Sequence, residues 1–216
     1  MVINLSAQHS LMGTWMRELR DVSIQRDRMR FRRNLERIGE VAAYEISKRL
    51  SYQEEDVTTP LGIARCAVLA QQPVLGTILR AGLPLHQGLL NYFDSADHAF
   101  ISAYRRHRPD GSFDIQLEYV SCPPLEGRIL ILADPMLATG ASLVKTLQSL
   151  QEEGVPAEIH LVSAIACTTG IERVQHYFPA ATIWAGDVDD EITEKGYIVP
   201  GLGDAGDLAY GLKSQQ

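Results

Sequence analysis

The chain has 216 residues, 45% hydrophobic and 22% charged, which is the composition of a folded globular domain and excludes a disordered chain. Its apolar runs, with Ile129–Ala133 among the longest, are too short for a membrane span, and the opening MVINLSAQHS has no secretory pattern. Three widely spaced cysteines (Cys66, Cys122, Cys167) fit neither a disulfide framework nor a zinc site, so the expectation is a cytoplasmic protein with no membrane partner. The formal net charge of −7 argues against nucleic acid as a partner. The charge is uneven, however. Residues 1–50 hold ten Lys/Arg against six Asp/Glu, and the remainder holds ten against twenty-one, so any anion site must be local.

No internal repeat or linker appears, so the chain reads as one domain, 1–216, with an N-terminal helical arm over 1–56. Leu35, Ile38, Ala42, Ile46 and Leu50 follow helical spacing and predict an amphipathic helix from about Ser23 to Leu50. Thr59-Pro60-Leu61-Gly62 then breaks the chain. Beyond it, strands are predicted at Pro73–Leu79, Ala99–Tyr104, Phe113–Val120, Arg128–Asp134, Glu158–Ala166 and Ala181–Ala185. Helices are predicted at Leu83–Tyr92, Ser142–Glu153 and Thr168–Phe178. The turn Arg105–Ser112, with Pro109-Asp-Gly111, would join two of these strands as an antiparallel hairpin. Alternating strands and helices predict an α/β fold: a parallel sheet with helices on both faces and sites beyond the carboxyl ends of the strands.

Arg128–Ser142 is the most informative stretch. An apolar strand delivers Asp134, a loop of small and hydroxylated residues follows, and a helix begins near Ser142 with Leu143, Leu147 and Leu150 on one face. Such a loop lets backbone N–H groups converge, Thr139 and Ser142 add hydroxyls, and the helix N-terminus favours negative charge. This suits a phosphate monoester, with Asp134 placed to accept from ribose hydroxyls. A nucleoside-triphosphate P-loop is excluded, since no Gly-Lys-Ser/Thr element is present. The residues alone equally allow an ordinary strand–turn–helix unit in which Ser142 is the N-cap and Asp134 a turn residue.

Gly201-Leu-Gly203-Asp-Ala-Gly206 formally satisfies G-x-G-x-x-G, but it lies too near the chain end for a βαβ unit, and Asp204 would repel a pyrophosphate. A glycine-rich loop there can instead bring backbone close to a flat ligand, or be a simple surface turn. Arg80, followed by Ala81-Gly82, ends a predicted strand, where its planar fork could grip phosphate oxygens. Arg26, Arg30, Arg33 and Arg37 share one helix face; an RNA surface is one reading, a solvated or intersubunit stripe paired with Asp27, Glu36 and Glu40 the favoured one. The tip residues Arg106, His107 and Arg108 read as solvated, and His86 and His176, like the other histidines, as structural or surface residues.

The stretch DPMLATGAS resembles the donor-binding loop of the phosphoribosyltransferases, in the form found in the uracil phosphoribosyltransferase family. Ile78-Leu-Arg80-Ala-Gly-Leu83 and Gly196–Asp207 resemble that family too. Phe31-Arg32, Tyr44-Glu45, Val57–Gly62 and Tyr104-Arg105 match it more weakly and in the same order. The resemblance implies a phosphoribosyltransferase-type core that transfers a phosphoribosyl group from 5-phosphoribosyl 1-diphosphate (PRPP) to uracil N1. It implies that Asp134, Pro135, Met136, Leu137, Ala138, Thr139, Gly140, Ala141 and Ser142 hold the donor's ribose 5-phosphate, and that Arg80 and Arg105 hold its diphosphate. Within the segment 197–207, Ile198, Gly203, Asp204 and Ala205 would read the base. Asp204 would also stand near Mg²⁺, which travels with PRPP without a direct protein site, and is the candidate base for N1. A homodimer or higher homo-oligomer is implied, with GTP an activator of some members.

This chain departs from the family pattern in three places. Ala141 stands where glycine is common, Pro84 follows Arg-Ala-Gly-Leu, and a few extra residues fall between Ser23 and Phe31. Alternatives are a phosphoribosyltransferase for another base, a pyrimidine-sensing RNA-binding regulator, and a protein that holds the donor without turning it over.

Overall fold

The computed structural model describes residues 1–107 and 113–212 and, within them, the side chains outside 103–116. The chain opens with a short strand, β1 (Val2–Asn4), and two helices, α1 (Leu11–Arg20) and α2 (Arg28–Ser47). Each helix starts on a side-chain cap: the Ser10 hydroxyl accepts from the Met12 N–H and the Asp27 carboxylate from the Arg30 N–H. Leu35, Ile38, Ala42 and Ile46 are fully buried along α2, as their spacing predicts, but the helix spans twenty residues within the expected Ser23–Leu50.

The predicted chain break at Thr59–Gly62 is instead the tip of a hairpin. Strands β2 (Tyr52–Thr59) and β3 (Gly62–Leu69) pair antiparallel from Tyr52↔Leu69 to Thr59↔Gly62, so residue 56 falls inside a strand. Polar and apolar residues on both strands are largely exposed, and this absence of one buried face is why no strand pattern stood out.

The remaining elements are β4 (Val74–Leu79), α3 (Leu83–Leu90), β5 (Asp97–His107), β6 (Phe113–Ser121), β7 (Ile129–Ala133), β8 (Met136–Leu137), α4 (Ala141–Leu150), β9 (Glu158–Cys167), α5 (Thr168–Tyr177), β10 (Thr182–Asp189), β11 (Glu191–Ile192), β12 (Ile198–Val199) and α6 (Ala205–Tyr210). The main sheet runs β1-β10-β9-β7-β4-β5-β6, with β8 pairing β9. All its pairs are parallel except β5 with β6, which form the expected antiparallel hairpin; the tip residues 108–112 lie outside the described residues.

Strand side chains alternate between two cores. Leu75, Ile131 and Val162 face α1, α2 and α3, whereas Val74, Leu130 and Leu161 face α4 and α5. The sheet is therefore covered on both sides, and the carboxyl ends of β4, β5, β7, β9 and β10 share one edge. No helix among the described residues is long and apolar enough to cross a membrane.

Candidate active site

Asp134 emerges at the carboxyl end of β7 with its N–H on the Val162 carbonyl (3.0 Å). Its carboxylate accepts from the Met136 N–H at 3.4 Å, yet burial pushes the carboxyl up to about 7. The loop after it is pinned to β9 through the Ile165 N–H on the Pro135 carbonyl (3.0 Å) and through β8. At Gly140 the backbone turns left-handed (φ 74°), and a Cβ there would lie 2.8 Å from the Gly170 carbonyl oxygen. Gly140, not Ser142, is the N-cap of α4, so Ser142 sits in the first turn with its hydroxyl uncommitted to capping. No non-glycine residue has positive φ among the described residues, so Ala141 enters the helix without backbone strain.

Arg80 follows β4, the immediate neighbour of β7, and the Leu79–Arg80 peptide is cis. The turn behind it packs backbone to backbone against the end of β7, since a Cβ on Gly82 would stand 2.8 Å from the Ala133 carbonyl oxygen. Pro84 occupies the first turn of α3, where its missing N–H costs no helix bond. The Arg80 guanidinium, 44% exposed, reaches toward the C-terminal segment: it donates to the Gly211 carbonyl (3.3 Å) and lies 3.8 Å from Asp207 Oδ1.

In that C-terminal segment the Ile198 side chain is buried in the core, so its backbone is what it can offer a ligand. Gly203 is exposed with φ 92°, Asp204 is half-buried, and Ala205 is buried. Asp204 caps α6, its Oδ1 accepting from the Asp207 N–H at 3.0 Å. A Cβ on Gly206 would lie 3.9 Å from that of Ala81. The three segments singled out in the sequence thus meet in succession: β7 end against Gly82, and Ala81 against Gly206. The backbone of Arg105 lies near the same edge, in β5 opposite Ile115, while its side chain is outside the described residues.

The arginine stripe on α2 is largely engaged. Arg30 pairs with Glu18 (3.1 Å) and Arg33 with Glu36 (2.6 Å) and Glu40 (3.3 Å), while Arg37 donates to Asn34 (3.0 Å). Arg26 instead lines a groove of about 400 Å³ with Gln25, Arg28, Gly203 and Asp204. His86 stands 3.1 Å from His98, and burial holds its ring pKa down at about 4, so it is neutral at physiological pH. No group of three or more His, Cys, Asp or Glu is arranged to hold a metal among the described residues.

The family model for uracil phosphoribosyltransferase matches residues 6–211. The chain belongs to the uracil phosphoribosyltransferase family. A uracil phosphoribosyltransferase of Porphyromonas gingivalis is 52% identical over 213 residues, covering 98% of this chain and 99% of its own. One from Thermococcus gammatolerans is 39% identical, covering 91% of this chain and 88% of its own. Among solved structures, a protein of Aquifex aeolicus covers both chains completely at 31% identity with a TM-score of 0.87. A hypoxanthine phosphoribosyltransferase of Staphylococcus aureus, at 12% identity and a TM-score of 0.50 over 86% of this chain and 84% of its own, shares the fold.

Within this family member, the sequence reading missed Arg20, Gln25, Asp187 and Asp189. β10 continues four residues past the predicted Ala185, and the extension carries both acids. Arg20, at the end of α1, bonds to both of them and to the C-terminal loop. An acidic run after an apolar strand was visible, but nothing in the spacing joins it to an arginine about 170 residues earlier.

Proposed function

We propose that the chain transfers the phosphoribosyl group of PRPP to N1 of uracil, giving uridine monophosphate and diphosphate. Family membership supports the reaction. What supports this placement is the close approach of Gly82 to the end of β7 and the reach of Arg80 to Gly211 and Asp207, which bring the Asp134 loop, the Arg80 turn and the C-terminal segment to one sheet edge.

In this reading, the Thr139–Ser142 turn receives the 5-phosphate on backbone N–H groups, the Thr139 and Ser142 hydroxyls and the α4 N-terminus. Asp134 accepts from ribose hydroxyls, and each such bond draws its raised pKa back down. Arg80 and Arg105 take the diphosphate. Magnesium carried by the donor would supply charge neutralisation for the leaving diphosphate. Asp204, with one carboxylate oxygen committed to its cap, would stand near that ion with the other oxygen free to balance its charge.

The C1–O bond to diphosphate breaks as the C1–N1 bond forms, and the electron pair leaves with diphosphate. The N1 proton passes toward Asp204, directly or through water. Positive charge developing at C1 is tolerated because the leaving charge is held by the arginines. Uracil offers carbonyl, N–H and carbonyl along one edge, matched by backbone groups at Ile198 and Gly203–Ala205. Cytosine would set an amino donor against a backbone donor, a mismatch costing about 1–3 kcal/mol.

The two-sided exposure of the β2–β3 hairpin, including fully exposed Leu61, supports a homo-oligomer, since an isolated two-stranded ribbon is marginal in water. The deciding experiment is a steady-state assay with PRPP, Mg²⁺ and uracil, cytosine, hypoxanthine or orotate in competition. Uridine monophosphate should dominate. Folded protein that makes none, or that prefers a purine, overturns the reading.

A further inference from the structure

We propose that Arg20 and Gln25 of the N-terminal arm are positioning residues that hold the base-reading loop in register and so set the affinity for the pyrimidine. The inference rests on the function proposed above. Arg20 is a part-buried fork with both terminal nitrogens engaged twice. Nη1 donates to Asp189 Oδ2 (2.8 Å) and to the Gly201 carbonyl (3.0 Å), and Nη2 donates to Asp189 Oδ1 and Asp187 Oδ2 (2.8 Å each). Asp189, its side chain only 7% exposed, closes the circuit by accepting the Gly201 N–H at 2.9 Å.

Both backbone polar groups of Gly201 are therefore engaged by one ion pair. Gly201 cannot be replaced by a side chain that would serve the same purpose: its φ is 59°, and a Cβ would collide with the Ile198 carbonyl. The next residue is tied as well. Gln25 Nε2 donates to the Leu202 carbonyl (3.1 Å) and to the Leu19 carbonyl at the end of α1 (2.7 Å). These anchors fall between Ile198 and Gly203, the residues assigned to the base.

The other end of the loop is anchored separately. Asp204 caps α6 and Arg80 reaches Gly211, with neither bond passing through Arg20 or Gln25. Loosening the arm should therefore blur the base end and leave the diphosphate end in place. Backbone hydrogen bonds to a flat ligand weaken steeply with misplacement, so the effect should appear in uracil binding. Lysine cannot substitute, because a single ammonium cannot span two carboxylates and a carbonyl as the planar fork does.

The test combines kinetics with amide hydrogen exchange on Arg20→Lys and Gln25→Ala. Arg20→Lys should raise KM for uracil about tenfold, equivalent to about 1.4 kcal/mol, with KM for PRPP within about twofold. Amides at 198–203 should exchange faster while those of α4 and α6 hold. If Arg20→Lys fails to fold, Gln25→Ala, which removes only two bonds, decides the matter by the same KM split. Unchanged uracil KM, parallel rises in both KM values, or unchanged exchange at 198–203 overturns the proposal. Wild-type protein inert toward uracil overturns the proposed function instead, and the exchange data still report on the clamp.

Discussion

The Arg80 guanidinium donates to the Gly211 carbonyl at 3.3 Å, joining the turn after β4 to the C-terminal end of α6. Asp207 Oδ1, buried and without a hydrogen-bond partner, lies 3.8 Å from the same guanidinium. Nearly half the Arg80 side chain remains exposed, so these contacts aim it without consuming it. Arg80→Ala should then lower kcat/KM for PRPP by about 10- to 100-fold, the worth of a charge-assisted hydrogen bond to a phosphate group. The variant should keep its melting temperature within a few degrees. Steady-state kinetics beside a thermal melt check it, and unaltered PRPP kinetics would remove Arg80 from the donor site.

Asp134 yields a prediction with a defined sign. Burial raises its folded-state pKa to about 7, above the ordinary carboxylate value. Below the unfolded-state value both states are protonated and the shift has no effect. As pH rises toward 7 the unfolded chain ionises first, so stability is lost up to about pH 7 and is flat beyond it. Asp134→Asn removes that loss while keeping an oxygen for the Met136 N–H. Its stability gain over wild type should be near zero at pH 4 and up to about 4 kcal/mol at pH 8. Turnover should move the opposite way: wild-type kcat/KM for PRPP climbs through about pH 7 as the carboxylate forms, and the Asn variant is flat and at least about tenfold lower. Denaturant melts and pH–rate profiles of the two proteins measure both halves.

The donor end of the site was legible in the sequence because its logic is local. An apolar strand, one acid, a loop of small residues and an amphipathic helix lie in twenty-two consecutive residues, Ile129–Leu150, and the structure keeps them in that order from β7 to α4. Ser142 was legible as a helix-start residue but misplaced as the cap, since the left-handed turn at Gly140 lets the helix begin one residue earlier. The base end was less legible. Its glycines stand in the sequence, but what orders them is Arg20, which reaches Gly201 across 181 residues. The polar run after Ala185 concealed that reach, because Asp187 and Asp189 look like the end of a strand until their partner is seen. The β2–β3 hairpin escaped for a related reason: alternation marks a strand only when one face is buried.

Gly140 and Ala141 make a paired prediction on the phosphate turn. At Gly140 the left-handed backbone and the Gly170 carbonyl leave no room for a methyl group. Gly140→Ala should cost about 1–3 kcal/mol of stability and raise KM for PRPP. Ala141 already has helical φ, so Ala141→Gly, which restores the common family residue, should change KM for PRPP less than about threefold. It should cost about 0.5–1 kcal/mol through the flexibility glycine brings to the helix start. A large gain in PRPP affinity from Ala141→Gly would mean that the methyl group obstructs the phosphate.

The arginine stripe on α2 separates an enzyme from an RNA-binding regulator on the same fold. Arg33 lies 2.6 Å from Glu36 and 3.3 Å from Glu40, and Arg30 lies 3.1 Å from Glu18, so the two central cations already face carboxylates. A nucleic acid would have to break those pairs against a net charge of −7. The pairs themselves are solvent-screened, with Arg33 45% exposed, and should contribute no more than about 1 kcal/mol each. Arg33→Ala should therefore leave uracil kinetics unchanged and shift stability by less than about 1 kcal/mol. Filter binding with structured and single-stranded RNA should give weak retention that does not depend on sequence and disappears by about 0.2 M salt. Sequence-specific retention lost in Arg33→Ala would instead make the stripe a recognition surface and add a second role to the protein.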